Sequence, residues 1–169
     1  MRLSVTHAMH WTTAQRRGKY AGWCNGTAAA IAVGTVFAER GFGADQLPPA
    51  SPDLLPLDQA MEDDRARTVE QTVRPISPGL VEDTGAVLFR DLWLRPDLSP
   101  RDRSMVTVAA LVTSGQFAQI SHHPGRAMDN GLTRTEASEM VSHLAYYAGW
   151  PNAFSAVPVV KAVFESRAQ

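Results

Sequence analysis

The chain has 169 residues, 44% of them hydrophobic, enough for one globular domain plus an extension, and a formal net charge of −1. Arg2, Arg16, Arg17 and Lys19 have no acid among them before Glu39, so a basic head precedes an acidic body; no Lys/Arg stripe interleaved with aromatics follows, which argues against a nucleic-acid surface. Cys24 is the single cysteine, so neither an intrachain disulfide nor a C-x-x-C redox pair can form within the chain.

Residues 1–44 read as an N-terminal extension. Arg16, Arg17 and Lys19 precede an apolar run that ends at Val36-Phe37-Ala38. A basic flank, a short apolar run and small residues at its end make residues 16–38 a candidate signal segment, exported to the periplasm; the other reading is an ordinary N-terminal helix of a cytoplasmic protein. The run is too short for stable membrane insertion. His7 and His10 lie three apart, but two histidines alone are a weak metal signal. Residues 45–57, with Pro48, Pro49, Pro52 and Pro56, form a linker or arm that packs on a neighbour when ordered.

The remaining residues, 58–169, read as one helical domain. A charged helix spans Asp58–Val73 with only a thin apolar stripe (Ala60, Met61, Ala66, Val69, Val73), and Pro75 and Pro78 break it. An amphipathic helix is expected over Pro78–Leu94, stopped by Pro96. Ser99-Pro100 then supplies an N-cap with proline at N1. The helix that follows, to about Ser114, is apolar on nearly every side, as suits the centre of a bundle or a subunit contact. Arg101 and Arg103 sit in its first turn, where the helix dipole does not favour cations. Either they pair with Asp97 or Asp102, or they hold an external anion.

Gly115 separates this from a helical stretch, Gln116–Asn130. Pro124 and Gly125 should kink or break it just after His122 and His123, with Arg126 about one turn on. Asn130-Gly131 is a helix stop, and Thr133-Arg134-Thr135-Glu136 fits a capping box for the next helix, to about Gly149. Ala137, Met140, Val141, Leu144, Ala145 and Ala148 give that helix a core face. Beside it runs the row Glu136, Glu139, His143, Tyr147 and Trp150, at steps of three and four. This row is either a solvated polar face or a proton-transfer relay of acid, imidazole and phenol. The helices flanking Gly131 form an αα-hairpin, in which His123 and His143 could approach one another. A last helix spans Pro151–Arg167, with Pro158 expected to kink it or interrupt its hydrogen-bond ladder. Strand-like alternation is lacking throughout, so the expected fold is all-α.

The run SPRDRSMVTVAALVTSGQFA at Ser99–Ala118, then His123, Arg126, AMDNGLT and E-x-x-x-H-L-A-x-Y-A-G-W-P-N-A-x-S-A resembles the carboxymuconolactone decarboxylase family, part of the alkylhydroperoxidase-D-like superfamily. The resemblance covers roughly Ile76–Arg167. It implies an oligomeric alkylhydroperoxidase-D-like helical bundle, a trimer or hexamer with sites at or near subunit contacts. The peroxidase branch of that superfamily uses a C-x-x-C pair, and with none after Cys24 the chain is similar to the non-cysteine branch. His123 matches a family histidine, while Pro124 and Gly125 depart from the pattern there.

The family reaction decarboxylates 4-carboxymuconolactone in aromatic catabolism. The electrons left behind can flow into the unsaturated lactone, so no metal, pyridoxal or flavin is required. The protein must hold an anion, stabilise charge on an oxygen and deliver a proton to carbon. Arg103 and Arg126 are the candidates for the first task, and Tyr147 or His123 for the second. His143 oriented by Glu139 is the candidate for the third, and Trp150 is a further substrate contact. The competing readings are an altered chemistry on the same scaffold, such as a lactone or acid isomerase or hydrolase, and a metal- or ligand-binding protein using His122, His123, Glu139 and His143. The expected partners are a small anionic substrate and further copies of the chain.

Overall fold

A computed structural model describes residues 21–47, 49 and 51–168; Arg16, Arg17, Lys19, His7 and His10 lie outside them. The backbone divides into two compact units, Met1–Pro49 and Ala50–Gln169. In the first, helix α1 (Ala21–Glu39) covers most of the apolar run and exposes Ile31, Val33 and Val36. A single turn, Ala44–Gln46, follows. No helix among the described residues is long and apolar enough to cross a membrane.

The second unit is helical throughout, and the described residues contain no strand. Helix α2 (Gln59–Thr72) starts where the Asp58 carboxylate accepts the Met61 N–H. The stretch expected as one helix over Pro78–Leu94 is instead three short pieces. α3 (Pro78–Asp83) passes into a wide π turn over Thr84–Phe89, and Leu92–Leu94 forms a tight turn. Gly85, which weakens a helix by its backbone freedom, lies at the start of the π turn. Such turns reset the side-chain register, and here the result is a stacked Phe89 and Trp93, ring centroids 6.1 Å apart.

Helix α4 (Pro100–Thr113) begins as expected, with the Ser99 hydroxyl accepting the Asp102 N–H. Its Val108 and Val112 are fully buried and anchor the core with Ile120, Ala127, Leu132, Ala137, Leu144 and Ala156. Its apolar character is only half used, for Val106 on the other side is 58% exposed. The next stretch divides into α5 (Phe117–Ile120) and α6 (His123–Asp129). The break therefore falls before His123 rather than after it. Pro124 needs no N–H partner in a first turn, so it starts α6 instead of kinking it.

Gly131 (φ +99°) ends α6. The capping box at Thr133 forms as expected, Glu136 accepting the Thr133 N–H while Thr133 accepts the Glu136 N–H. Helix α7 (Arg134–Ala148) then runs to Gly149 (φ +88°), which turns the chain into α8 (Trp150–Ser166). α8 continues through Pro158, whose exposed position lets water take the released carbonyl. α7 and α8 pack together through Val141, Ala145, Ala153 and Val160.

Amide side chains tie the layers at both ends of α4. Asn130 donates to the Ser104 hydroxyl at 2.8 Å, and Asn152 to the carbonyls of Ala148 and Thr113. α6 packs on α4 and α8.

Candidate functional site

A cavity of about 280 Å3 opens between the arm at residues 55–58, helix α2, the Phe89–Trp93 segment and α6. Two features hold the arm in place: the Leu55 N–H donates to the Leu94 carbonyl at 2.7 Å, and the Ser51 N–H to the Asp97 carboxylate. Residues 51–57 of the Pro-rich segment thus lie against their own unit, and residues 55–57 form a wall of the cavity.

The cavity is apolar at Leu55, Leu57 and Met61 and aromatic at Phe89 and Trp93, and its charged lining is Asp58, Glu62, Arg65, Arg126 and Asp129. The Arg126 guanidinium carbon lies 5.3 Å from the Phe89 centroid and 5.0 Å from that of Trp93. Such stacking favours a cation over a ring face. Arg126 makes no hydrogen bond or ion pair among the described residues, and its Nε is buried without a partner. Burial, and next the neighbouring Arg65 charge, lower its pKa; Glu62, Asp129 and Asp58 act the other way. An arginine so placed stays protonated and is poorly compensated.

His123 sits one turn before Arg126 and is half-buried. Burial lowers its pKa below the usual histidine value, helped by the Arg126 and His122 charges. Its place in the first turn of α6 works in the same direction, since a helix N-terminus disfavours a cation. His123 is therefore a neutral imidazole at pH 7, able to donate one N–H and accept one hydrogen bond.

Glu62 is the charged residue that sequence reasoning missed. It is 4% exposed, accepts from both Nε and Nη2 of Arg65 at 2.8 and 2.7 Å, and accepts from Arg90 at 3.3 Å. The Arg65 hydrogen bonds hold its carboxyl below the usual range against the opposing cost of burial. Arg65 in turn lies 4.1 Å over Phe89. The one signal in the sequence is that Glu62 stands in phase with Ala66, Val69 and Val73, a charge on a thin, half-buried apolar stripe.

The other sequence candidates lie elsewhere. Arg103 spends its Nη2 on the carbonyls of Arg95 and Leu98, at 2.9 and 3.4 Å, and holds the loop before α4. Arg101 pairs with Asp102 and Glu136. Glu139, His143, Tyr147 and Trp150 are all exposed along α7 and the start of α8. No hydrogen bond joins Glu139 to His143; instead the His143 ring stacks on Tyr147 with centroids 4.8 Å apart. The helices of His123 and His143 meet through the Gly131 turn and pack separately on α4 and α8. His123 and Arg126 thus lie one turn apart on α6, of the two only Arg126 lines the cavity, and the Glu139–His143–Tyr147–Trp150 row also lies outside its lining. No group of three metal-ligating side chains converges among the described residues.

Comparison with known proteins places this geometry. The model of the carboxymuconolactone decarboxylase family matches residues 78–162, half of the chain. A 4-carboxymuconolactone decarboxylase of Acinetobacter baylyi is 33% identical over 75 residues, 44% of this chain and 56% of the relative. A nitrosuccinic acid decarboxylase of Metarhizium robertsii is 31% identical over 70 residues, 41% of this chain and 49% of the relative. The chain spans about half the length of the curated relatives it matches. The family match includes His123, Arg126, Phe89 and Trp93 but stops short of α2.

Proposed function

The chain belongs to the carboxymuconolactone decarboxylase family, and from that premise we propose that it is a decarboxylase-like lyase acting on a small anionic acid or lactone, without a cofactor, in the cavity beside Arg126. The observation that carries this reading is the uncompensated Arg126 guanidinium, stacked on Phe89 and Trp93 one turn after the neutral His123. A cavity with a free cation over two rings suits a flat anion.

The chemistry asks little else of the protein. When the C–C bond to the leaving carboxylate breaks, its electron pair needs an acceptor. An unsaturated lactone or a nitro group on the substrate provides one, and negative charge grows on its oxygen. In this reading Arg126 holds the anion and the His123 N–H donates to that oxygen. A donor placed for charge that develops only in the transition state speeds the step instead of merely tightening binding. A proton must then reach carbon as CO2 leaves. His143, flanked by Glu139 and Tyr147 and outside the cavity lining of its own chain, makes that delivery in this reading only across the subunit contact proposed below. Arg103 acts at one remove, by fixing the loop that follows Trp93, and Trp150 completes the α7–α8 row.

A homo-oligomer, trimer or hexamer, belongs to the same proposal. Tyr146, Tyr147, Trp150 and Phe154 are 57–79% exposed on adjoining helices, more apolar surface than a solvated face needs, and subunit contact would cover the row that holds His143.

The test is CO2 release from 4-carboxymuconolactone and, separately, from nitrosuccinate by purified protein beside Arg126→Gln. Turnover of either acid, weakened in the variant through a raised KM, supports the reading. A folded wild type inert towards both removes it.

A further inference from the structure

We propose that Arg65, clamped by the buried carboxylate of Glu62, is a second anion-binding group opposite Arg126, and that it selects substrates carrying a second negative group beyond the one Arg126 holds. The inference rests on the cavity being the substrate site, as argued above, and it assigns a role to α2, which lies outside the family match.

The first argument is geometric. The Arg65 and Arg126 guanidinium carbons lie 4.1 and 5.3 Å from the same Phe89 centroid, so they are separated by no more than the sum of those distances. Both residues line the same cavity. A small acid with two anionic groups can span such a pair, with its unsaturated part against the Phe89 and Trp93 rings.

The second argument concerns which donors are free. Glu62 takes Nε and Nη2 of Arg65 and leaves Nη1 with no protein partner among the described residues. A guanidinium gripped along one edge is rigid and presents the other, so little side-chain entropy is lost when an anion binds there. Glu62 is thus a positioning residue and Arg65 a ligand-binding one.

The third argument is charge. The buried carboxylate of Glu62 pairs with two guanidinia, those of Arg65 and Arg90, while Arg126 pairs with no acid among the described residues. The other two acids that line the cavity are engaged, Asp58 capping α2 and Asp129 paired with Arg167. Burial first, and then repulsion by Arg65, depress the pKa of Arg126. An anion between them relieves that repulsion, and a second negative group answers the charge that one alone leaves.

The test compares glutaconate with 2-pentenoate, five-carbon unsaturated acids with and without the second carboxylate, by calorimetric titration of the full chain. Wild type should bind glutaconate at least about tenfold more tightly, the scale of one charge-assisted fork. Arg65→Gln should bring that ratio close to one, while Arg126→Gln weakens both acids. Because Arg65→Gln strands a buried carboxylate, the paired variant Glu62→Gln/Arg65→Gln is run beside it and should give the same ratio in a fold of wild-type helicity. An unchanged ratio in the paired variant, or equal weakening of both acids, overturns the role of Arg65. Binding of neither acid by wild type removes the cavity itself as the substrate site.

Discussion

The Arg126 guanidinium stands 5.0 Å from the ring of Trp93 and pairs with no carboxylate among the described residues, although Glu62 lies in the same cavity and is already committed to Arg65. This allocation of one acid among several arginines makes the pocket receptive to an outside anion. Arg126→Gln should therefore cost little stability while raising KM about 10- to 100-fold, the worth of a charge-assisted hydrogen bond. Steady-state kinetics beside a urea melt will separate the two effects, and a large loss of stability with KM unmoved would count against the assignment.

His123 gives a pH signature. Its folded-state pKa is lowered, so the folded protein binds fewer protons there than the unfolded chain does. Stability should fall as pH drops below the ordinary histidine value and level off below the folded pKa. If the neutral ring is the working form, kcat/KM should decline on the same acid side. Arg126→Gln removes one of the charges depressing that pKa, so its acid limb should move up towards 6.5, the unperturbed value. His123→Gln should lack the limb. A limb unmoved in Arg126→Gln would show that another group titrates.

Glu62 has the pH dependence of a carboxylate with a lowered pKa. The stability it supplies is present in full above the ordinary carboxylate value and is lost as pH falls through the folded pKa. Glu62→Ala leaves Arg65 without its acid and should cost about 2 kcal/mol at neutral pH, within the range for a broken, partly buried pair. Urea midpoints at pH 7 and pH 4 should differ less in the variant than in wild type.

At the start of α7, Thr133→Ala removes the hydroxyl that accepts the Glu136 N–H and should destabilise by about 1 kcal/mol. Activity at low temperature should be preserved, because Thr133 does not line the cavity. Thr133→Ser should restore most of the stability.

On the α7–α8 surface, Tyr146→Glu combined with Phe154→Glu should split the proposed oligomer, which light scattering after gel filtration reads directly. If His143 depends on that contact, dilution of the variant should lower kcat with helicity intact. A wild type that already runs as a monomer would remove the oligomer from the proposal.

The helices were readable wherever punctuation was local. Asp58, Ser99-Pro100, Thr133 with Glu136, and Gly149 before Pro151 each mark a boundary within a residue or two of where it lies. The π turn at Thr84–Phe89 was not readable, because its apolar residues also satisfy an ordinary helical period and only tertiary packing of Phe89 against Trp93 and the two arginines distinguishes the registers. His123 and Arg126 were identifiable as neighbours one turn apart. Glu62 and Arg65 were passed over because an acid and a base three apart on a charged helix ordinarily mark a solvated face, and their burial depends on the arm and the Phe89 ring coming from elsewhere in the chain. The row Glu139–His143–Tyr147 is aligned by spacing as expected, yet alignment along a helix does not decide what lies opposite it.

The arm and α2 meet the rest of their unit through few polar ties, the Leu55–Leu94 and Ser51–Asp97 hydrogen bonds and the Glu62–Arg90 pair. The groups proposed for chemistry near the cavity, His123 and Arg126, belong to α6. One side of the cavity is thus a detachable panel on a fixed hearth. Substitutions within residues 51–72 should therefore shift preference among acids without rebuilding the helices that hold His123.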